Sequence, residues 1–407
     1  MAEVVLCGAV SLSINASSTT YFPVGISCGD RIATEANVQH PFPAGFWRGL
    51  YAVITNNDRG ASTIKSRVAG ADGAQILSIG ASTTGQFEDT TGVDTITAGA
   101  LLTLQVVTGA GGTIYRIYGI STKFRAVGQT VCKYTVDSFN AIATASTTFF
   151  GPIAGQTAAG WTTTAANAQT LVRTSMTFSA FWIKVSTNAR STTSTYGFYK
   201  NSGAGNQTVS VTAGATGIFE DTTNSDAVVS GDLVCIYATL GTGTGNLAFQ
   251  NATTQSSTGN KCFIICSGVG ATPAGVVYNA STTTYVPMSS ANTGSIGGSA
   301  TESDVRADAR IGMRLANFTS YVSVNTVTAT STITLRINGA DATQTLSIAS
   351  STTGRTEDST HVDNVIPTDE LNYVVATGAS GTSMSVQTVG ILAQAKEPRI
   401  YRAGMVM

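Results

Sequence analysis

Apolar and polar residues alternate one by one along most of this chain, and the alternation stops at small, turn-forming residues. Ile333, Leu335 and Ile337 fall on one side of a run while Thr332, Thr334, Arg336 and Asn338 fall on the other. Asn338-Gly339-Ala340-Asp341 interrupts it, and Leu346 and Ile348 take the alternation up again. Two period-2 runs joined at Asn-Gly predict a β-hairpin, because that dipeptide tolerates the left-handed backbone of a tight turn. Ala69-Gly70-Ala71-Asp72-Gly73 and Asn201-Ser202-Gly203-Ala204-Gly205 mark corresponding turns. Leu102, Leu104 and Val106 alternate with Thr103 and Gln105, and Leu233-Val234-Cys235-Ile236-Tyr237 holds the same place further on. No segment sustains a helical apolar period, so the pattern predicts strands throughout.

The pattern also repeats. Gly85-Gln86-Phe87-Glu88-Asp89-Thr90-Thr91-Gly92-Val93-Asp94 returns as Gly217-Ile218-Phe219-Glu220-Asp221-Thr222-Thr223-Asn224-Ser225-Asp226 and as Gly354-Arg355-Thr356-Glu357-Asp358-Ser359-Thr360-His361-Val362-Asp363, at spacings of 132 and 137 residues. A Ser-Thr-Thr block opens each copy at Ser18, Ser146 and Ser281, and Thr34-Glu35, Thr164-Ala165 and Thr301-Glu302 follow in the same order. Three blocks in register indicate triplication. The expected division is residues 1–126, 127–268 and 269–396, with 397–407 as a C-terminal docking tail. Seven or eight short strands in roughly 125 to 140 residues fit an antiparallel two-sheet sandwich. The fold class is therefore all-β, with three tandem jelly-roll-like domains.

Composition narrows the function. Charged residues are 11% of the 407, where roughly 25% is usual, and 64 Thr and 43 Gly take their place. Thr suits a pleated surface and Gly suits tight turns. A net charge of −1 lacks the basic stripe of a nucleic-acid binder. The longest apolar runs, such as Phe263-Ile264-Ile265-Cys266, are far shorter than the roughly 20 residues of a membrane helix. Met1-Ala2-Glu3-Val4-Val5-Leu6 has neither the basic start nor the apolar core of a secretory signal, so synthesis and assembly in a cytoplasm are expected. Cysteines kept there stay reduced, and Cys7, Cys28, Cys132, Cys235, Cys262 and Cys266 read mainly as free thiols. Should oxidation follow release, Cys262 or Cys266 is the expected partner in a bridge.

Candidate chemistry is sparse. Glu88, Asp89, Asp94, Glu220, Asp221, Asp226, Glu357, Asp358 and Asp363 are nine of the 23 acidic residues. Clustered Asp, Glu and Thr oxygens suit calcium. The block lacks a regular calcium loop, so the favoured reading is a turn whose Asp and Thr side chains bond nearby N–H groups. Glu88 with Asp94 as a glycosidase pair is disfavoured by the triplication. His40 and His361 sit at non-equivalent places, which leaves no repeated catalytic base. Neither enzyme activity nor a cofactor is expected. Trp182, in Phe181-Trp182-Ile183, reads as a core or domain-interface residue rather than a sugar platform.

The run Thr301-Glu302, Leu335-Arg336-Ile337-Asn338-Gly339-Ala340-Asp341, Thr353-Gly354, Glu357-Asp358-Ser359-Thr360 and Asp363 resembles a domain recurrent in tailed-phage virion proteins. That pattern has an initial Thr-Glu strand, a hairpin, and an acidic Thr-rich turn. More distantly it resembles jelly rolls of the tumour-necrosis-factor and complement type. The resemblance implies a structural virion protein on the particle exterior, a capsid decoration or a short fibre, assembled in the host cytoplasm. The implied partners are further copies of the chain, a trimer among the options, and other virion proteins. The alternatives are a tail receptor-binding protein that grips a host surface glycan, or a bacterial extracellular filament or surface-layer protein. Within the chain, the three copies are expected to form either a pseudo-trimer or a row of beads.

Overall fold

The computed structural model describes residues 4–8, 12–25, 33–128, 131–137, 148–156, 161–257, 260–267, 275–288 and 298–396. The tail 397–407 and Cys28 lie outside the described residues. Each of three units is a sandwich of two antiparallel sheets. In the third unit the eight main strands are Lys261–Ser267, Thr283–Pro287, Met313–Asn325, Ser331–Ile337, Ala340–Ile348, Gly354–Val365, Glu370–Ala376 and Ser383–Ala395. One sheet runs first–eighth–third–sixth and the other second–seventh–fourth–fifth. This is the strand order of a jelly roll, in which successive strands cross between the two sheets.

The same two orders recur in the second unit, from Val131–Asp137 to Leu247–Ser257, and in the first, from Val4–Gly8 to Tyr115–Ala126. The third strands, Gly45–Asn57, Met176–Asn188 and Met313–Asn325, are each 13 residues long. Alternation sets the core as the sequence implies: Ile333, Leu335, Leu346 and Ile348 are all buried between the sheets. Asn338 (φ 52°) and Gly339 (φ 79°) make the two-residue hairpin turn, and Ala69 and Gly70 do the same in the first unit.

Three local expectations change. The strand Lys261–Ser267, inside the range 127–268, bonds along its length to Ser383–Ala395 and is the first strand of the third sandwich. Only three positions separate it from Ser257, and an apolar run does not say which neighbour it will pair with. Glu302 opens a 3₁₀ turn, Glu302–Asp304, and not a strand, because its carbonyl accepts the Val305 N–H. In the second and third units the acidic block is not a turn between strands either: it lies inside the sixth strand, Gly217–Val228 and Gly354–Val365, as a three-residue bulge. The strand resumes beyond it because a side chain, and not the partner strand, satisfies the bulged N–H groups. In the first unit the block does separate two strands, Gly85–Glu88 and Val93–Ile96.

Candidate functional site

Each bulge is built around one aspartate. Asp221 Oδ1 accepts from the N–H groups of Thr223 (3.2 Å) and Asn224 (3.0 Å) and from Thr223 Oγ1 (3.2 Å). Its Oδ2 accepts from Thr208 N–H at 2.9 Å, across the sandwich. Asp358 repeats this with Thr360, His361 and Thr345, and Asp89 with Thr91, Gly92 and Ile76. Burial alone would raise these carboxyls. The N–H donors outweigh it and bring Asp221 and Asp358 down to about 2 and Asp89 below its ordinary value. His361 turns its Nδ1 to Asp358 of its own bulge, at 2.8 Å.

The last aspartate of each block points inward to a buried glutamine. Asp226 Oδ2 accepts from Gln207 Nε2 at 3.1 Å, Asp363 Oδ2 from Gln344 Nε2 at 3.1 Å, and Asp94 Oδ2 from Gln75 Nε2 at 2.9 Å. Sequence reasoning missed these three glutamines, although a Gln recurring in three apolar-alternating strands was the available signal. It also missed Gly49, Ala180 and Asn317, which face the bulges with φ of 66°, 51° and 53°. A bulge of three residues against one requires that left-handed backbone, and only the glycine advertised it. Among the described residues no group of three or more His, Cys, Asp or Glu side chains is placed to hold a metal ion.

The glutamates of the blocks face outward, and Glu88 and Glu357 meet other units. They occupy one register position: Glu88 lies opposite Tyr51, Glu220 opposite Trp182 and Glu357 opposite Thr319. Arg310 of the third unit pairs with Glu88 of the first, and its guanidinium stacks 4.4 Å over Tyr51. Arg173 of the second unit, at the place equivalent to Arg310, pairs with Glu357 of the third. Asp94 is buried while Glu88 is bound to Arg310, so the two do not face one substrate space.

The first unit completes the pattern by another route. Pro43 holds the place of Arg173 and Arg310, since Phe42, Val172 and Ala309 donate the same backbone bond to the residue before the seventh strand. Lys133 of the second unit sits 6.0 Å over the Phe42 ring. Burial pulls Lys133 down to about 7, with the Glu220 charge opposing. Beside it, His40 lies 6.4 Å from Trp182 of the second unit and is fully buried. Burial and then the Lys133 charge lower His40 to about 3. The first unit thus packs on the second, the second on the third and the third on the first, each with the same patch against the same patch. Head-to-tail contacts of this kind close into a ring. The three units form a pseudo-trimer within one chain, not a row of beads.

A disulfide marks the ring's centre. Cys132 and Cys262 are bonded, with Cα atoms 6.0 Å apart. Cys132 lies opposite Ser256 and Cys262 opposite Ala393, equivalent positions of the first strands in two different units. Equivalent points of a three-membered ring meet only near its axis. Val4 holds this position in the first unit. Cys262 is one of the two partners expected of a bridge, while the expectation of mainly free thiols fails for this pair, because ring closure brings together two strands far apart in sequence. Cys235 is a buried free thiol.

No family model matches the sequence, and no curated protein matches it either. Among solved structures, the chain is similar to one from an archaeal virus described by the words "triple jelly roll fold and turret assembly". That match has 14% identity over 96% of this chain and 91% of that one, at a TM-score of 0.18. A chain of the T13 IBDV viral particle matches at 8% identity over 98% of this chain and 79% of that one, at a TM-score of 0.17. Likenesses this low carry no argument, and the jelly-roll assignment stands on strand order.

Proposed function

We propose that this chain is a non-enzymatic structural protein on the exterior of a virus particle, as a capsid decoration or short fibre of a tailed phage. The observation that supports it most is the closed ring of three jelly rolls in a single polypeptide. Such a ring is a rigid block with pseudo-threefold symmetry, suited to repeated placement on a symmetric particle. The recurrent carboxylates serve the architecture: their oxygens are bound to N–H groups inside each unit or to arginines of the next. Sparse charge and a Thr-rich surface fit a durable exterior part. The test is proteomics of purified particles combined with gold-labelled antibody against the chain. Label at regular exterior sites is the expected result. A chain absent from particles, which instead binds a glycan array as a free protein, would overturn it.

A further inference from the structure

The three interfaces of the ring are equivalent in backbone but not in charge. Below the patch at Pro43, Arg173 and Arg310, the neighbouring unit presents a row of three residues on its first, eighth and third strands. Lys261, Gln394 and Arg314 form this row in the third unit, paired across adjacent strands. Residues paired in this way project on one face. The equivalent row in the second unit is Val131, Ser257 and Thr177. In the first unit Arg125 and Phe46 hold the last two places, with the Arg125 guanidinium stacked 5.2 Å over Phe46.

Only the interface between the second and third units therefore collects Arg173, Lys261 and Arg314 in one place. They line a cleft of about 240 Å³ together with Asn317, Thr360 and Gln394, and no carboxylate is among its lining residues. Arg173 is held by Glu357 at the edge, and Lys261 Nζ reaches Thr174 Oγ1 at 3.5 Å. Arg314 is exposed and has no ion-pair partner among the described residues. Glu357 offsets the Arg173 charge at the edge, so it is Arg314 and Lys261 that offer an anion in the cleft charge-assisted hydrogen bonds.

From this geometry we infer that the cleft between the second and third units binds a compact oxyanion carried on a hydroxylated ligand, of the size and chemistry of an acidic sugar. The cations take the carboxylate or phosphate, and the Asn317, Thr360 and Gln394 side chains face the hydroxyl groups. The inference does not depend on where in a particle the chain sits.

Titration of the full-length protein by NMR or calorimetry with glucuronate, glucose and inorganic phosphate tests it. Glucuronate is expected to bind in the millimolar range and glucose not to bind. Arg314→Gln and Lys261→Gln are each expected to weaken glucuronate by roughly ten- to a hundredfold, the range for losing a charged hydrogen bond. Lys65→Gln, at a cation elsewhere that pairs with Asp72, should leave binding unchanged. Phosphate binding as tightly as glucuronate keeps the oxyanion site and names free phosphate as its source. Equal binding of glucose, absence of binding by both anions, or an unaffected Arg314→Gln variant would each overturn the inference.

Discussion

The interface between the first and second units and that between the second and third carry different cations. At the second–third interface the cation is Arg173, contributed by the neighbour, which pairs with Glu357 of the acidic bulge. At the first–second interface Pro43 holds the Arg173 place, and the cation is Lys133, on the first strand of the second unit itself, under the neighbour's Phe42 ring and within the field of Glu220. The outcome differs because an arginine reaches a carboxylate at the rim, whereas Lys133 is sealed under the ring. A buried ammonium is costly to keep charged, and a rim guanidinium is not.

The comparison is broken most strongly by opening one interface. Cys132–Cys262 closes a sequence separation of 130 residues across the second–third interface, and no corresponding bridge can form at Val4. Cys262→Ser is expected to lower stability by about 2–5 kcal/mol. Calorimetry should show the third unit melting ahead of the others. An unchanged melting profile would mean that packing alone holds the ring.

A smaller effect, of opposite sign, follows from Lys133. The unfolded chain holds this proton up to the ordinary lysine value of 10.5, while the folded chain releases it at about 7. The unfolded state therefore binds more protons across that window, and stability rises with pH from about 7 to 10.5. Lys133→Met should raise stability near neutral pH by a few kcal/mol and flatten that rise. Melting temperatures measured across the window decide it, and a variant less stable at pH 7 would refute the account.

The aspartates of the bulges come next. Asp221→Asn should cost about 1–2 kcal/mol, since a neutral amide accepts N–H bonds less strongly. The folded Asp221 carboxyl titrates near 2 against an ordinary 3.8, so its contribution is present above 3.8 and lost as pH falls toward 2. We expect the melting temperature to be indifferent to a chelator, and a drop that calcium restores would show that the bulges hold a cation.

Much of this fold was legible in the sequence because it rests on local periodicity. A strand buried on one face must alternate, so Ile333 and Leu335, and then Leu346 and Ile348, could be assigned to the core without coordinates. The Asn338-Gly339 turn was legible because few other dipeptides take left-handed backbone at both positions. Triplication was visible in the acidic blocks, and their register is what aligns Glu88, Glu220 and Glu357. The bulge was misread as a turn because Asp-Thr-Thr has the same composition in both. Only the pairing of Asp221 with Phe181 and of Ser225 with Ser179 shows that one strand continues through it.

What the residues alone determined is the all-β class, the hairpin pattern, the number of copies and the spare chemistry of a chain with two histidines. Those are properties of neighbours along the backbone. What only the tertiary structure decided is everything that depends on closure: which sandwich owns Lys261–Ser267, why Cys132 meets Cys262, and why Lys133 is sealed under Phe42. In a ring the contacts join residues far apart in sequence, 87 positions for Thr174 and Lys261 and 222 for Glu88 and Arg310, and no one-dimensional pattern records the angle at which one unit meets the next. That angle is set by the packing of patches such as Arg310 on Tyr51 and His40 near Trp182, and it exists only once all three units are folded.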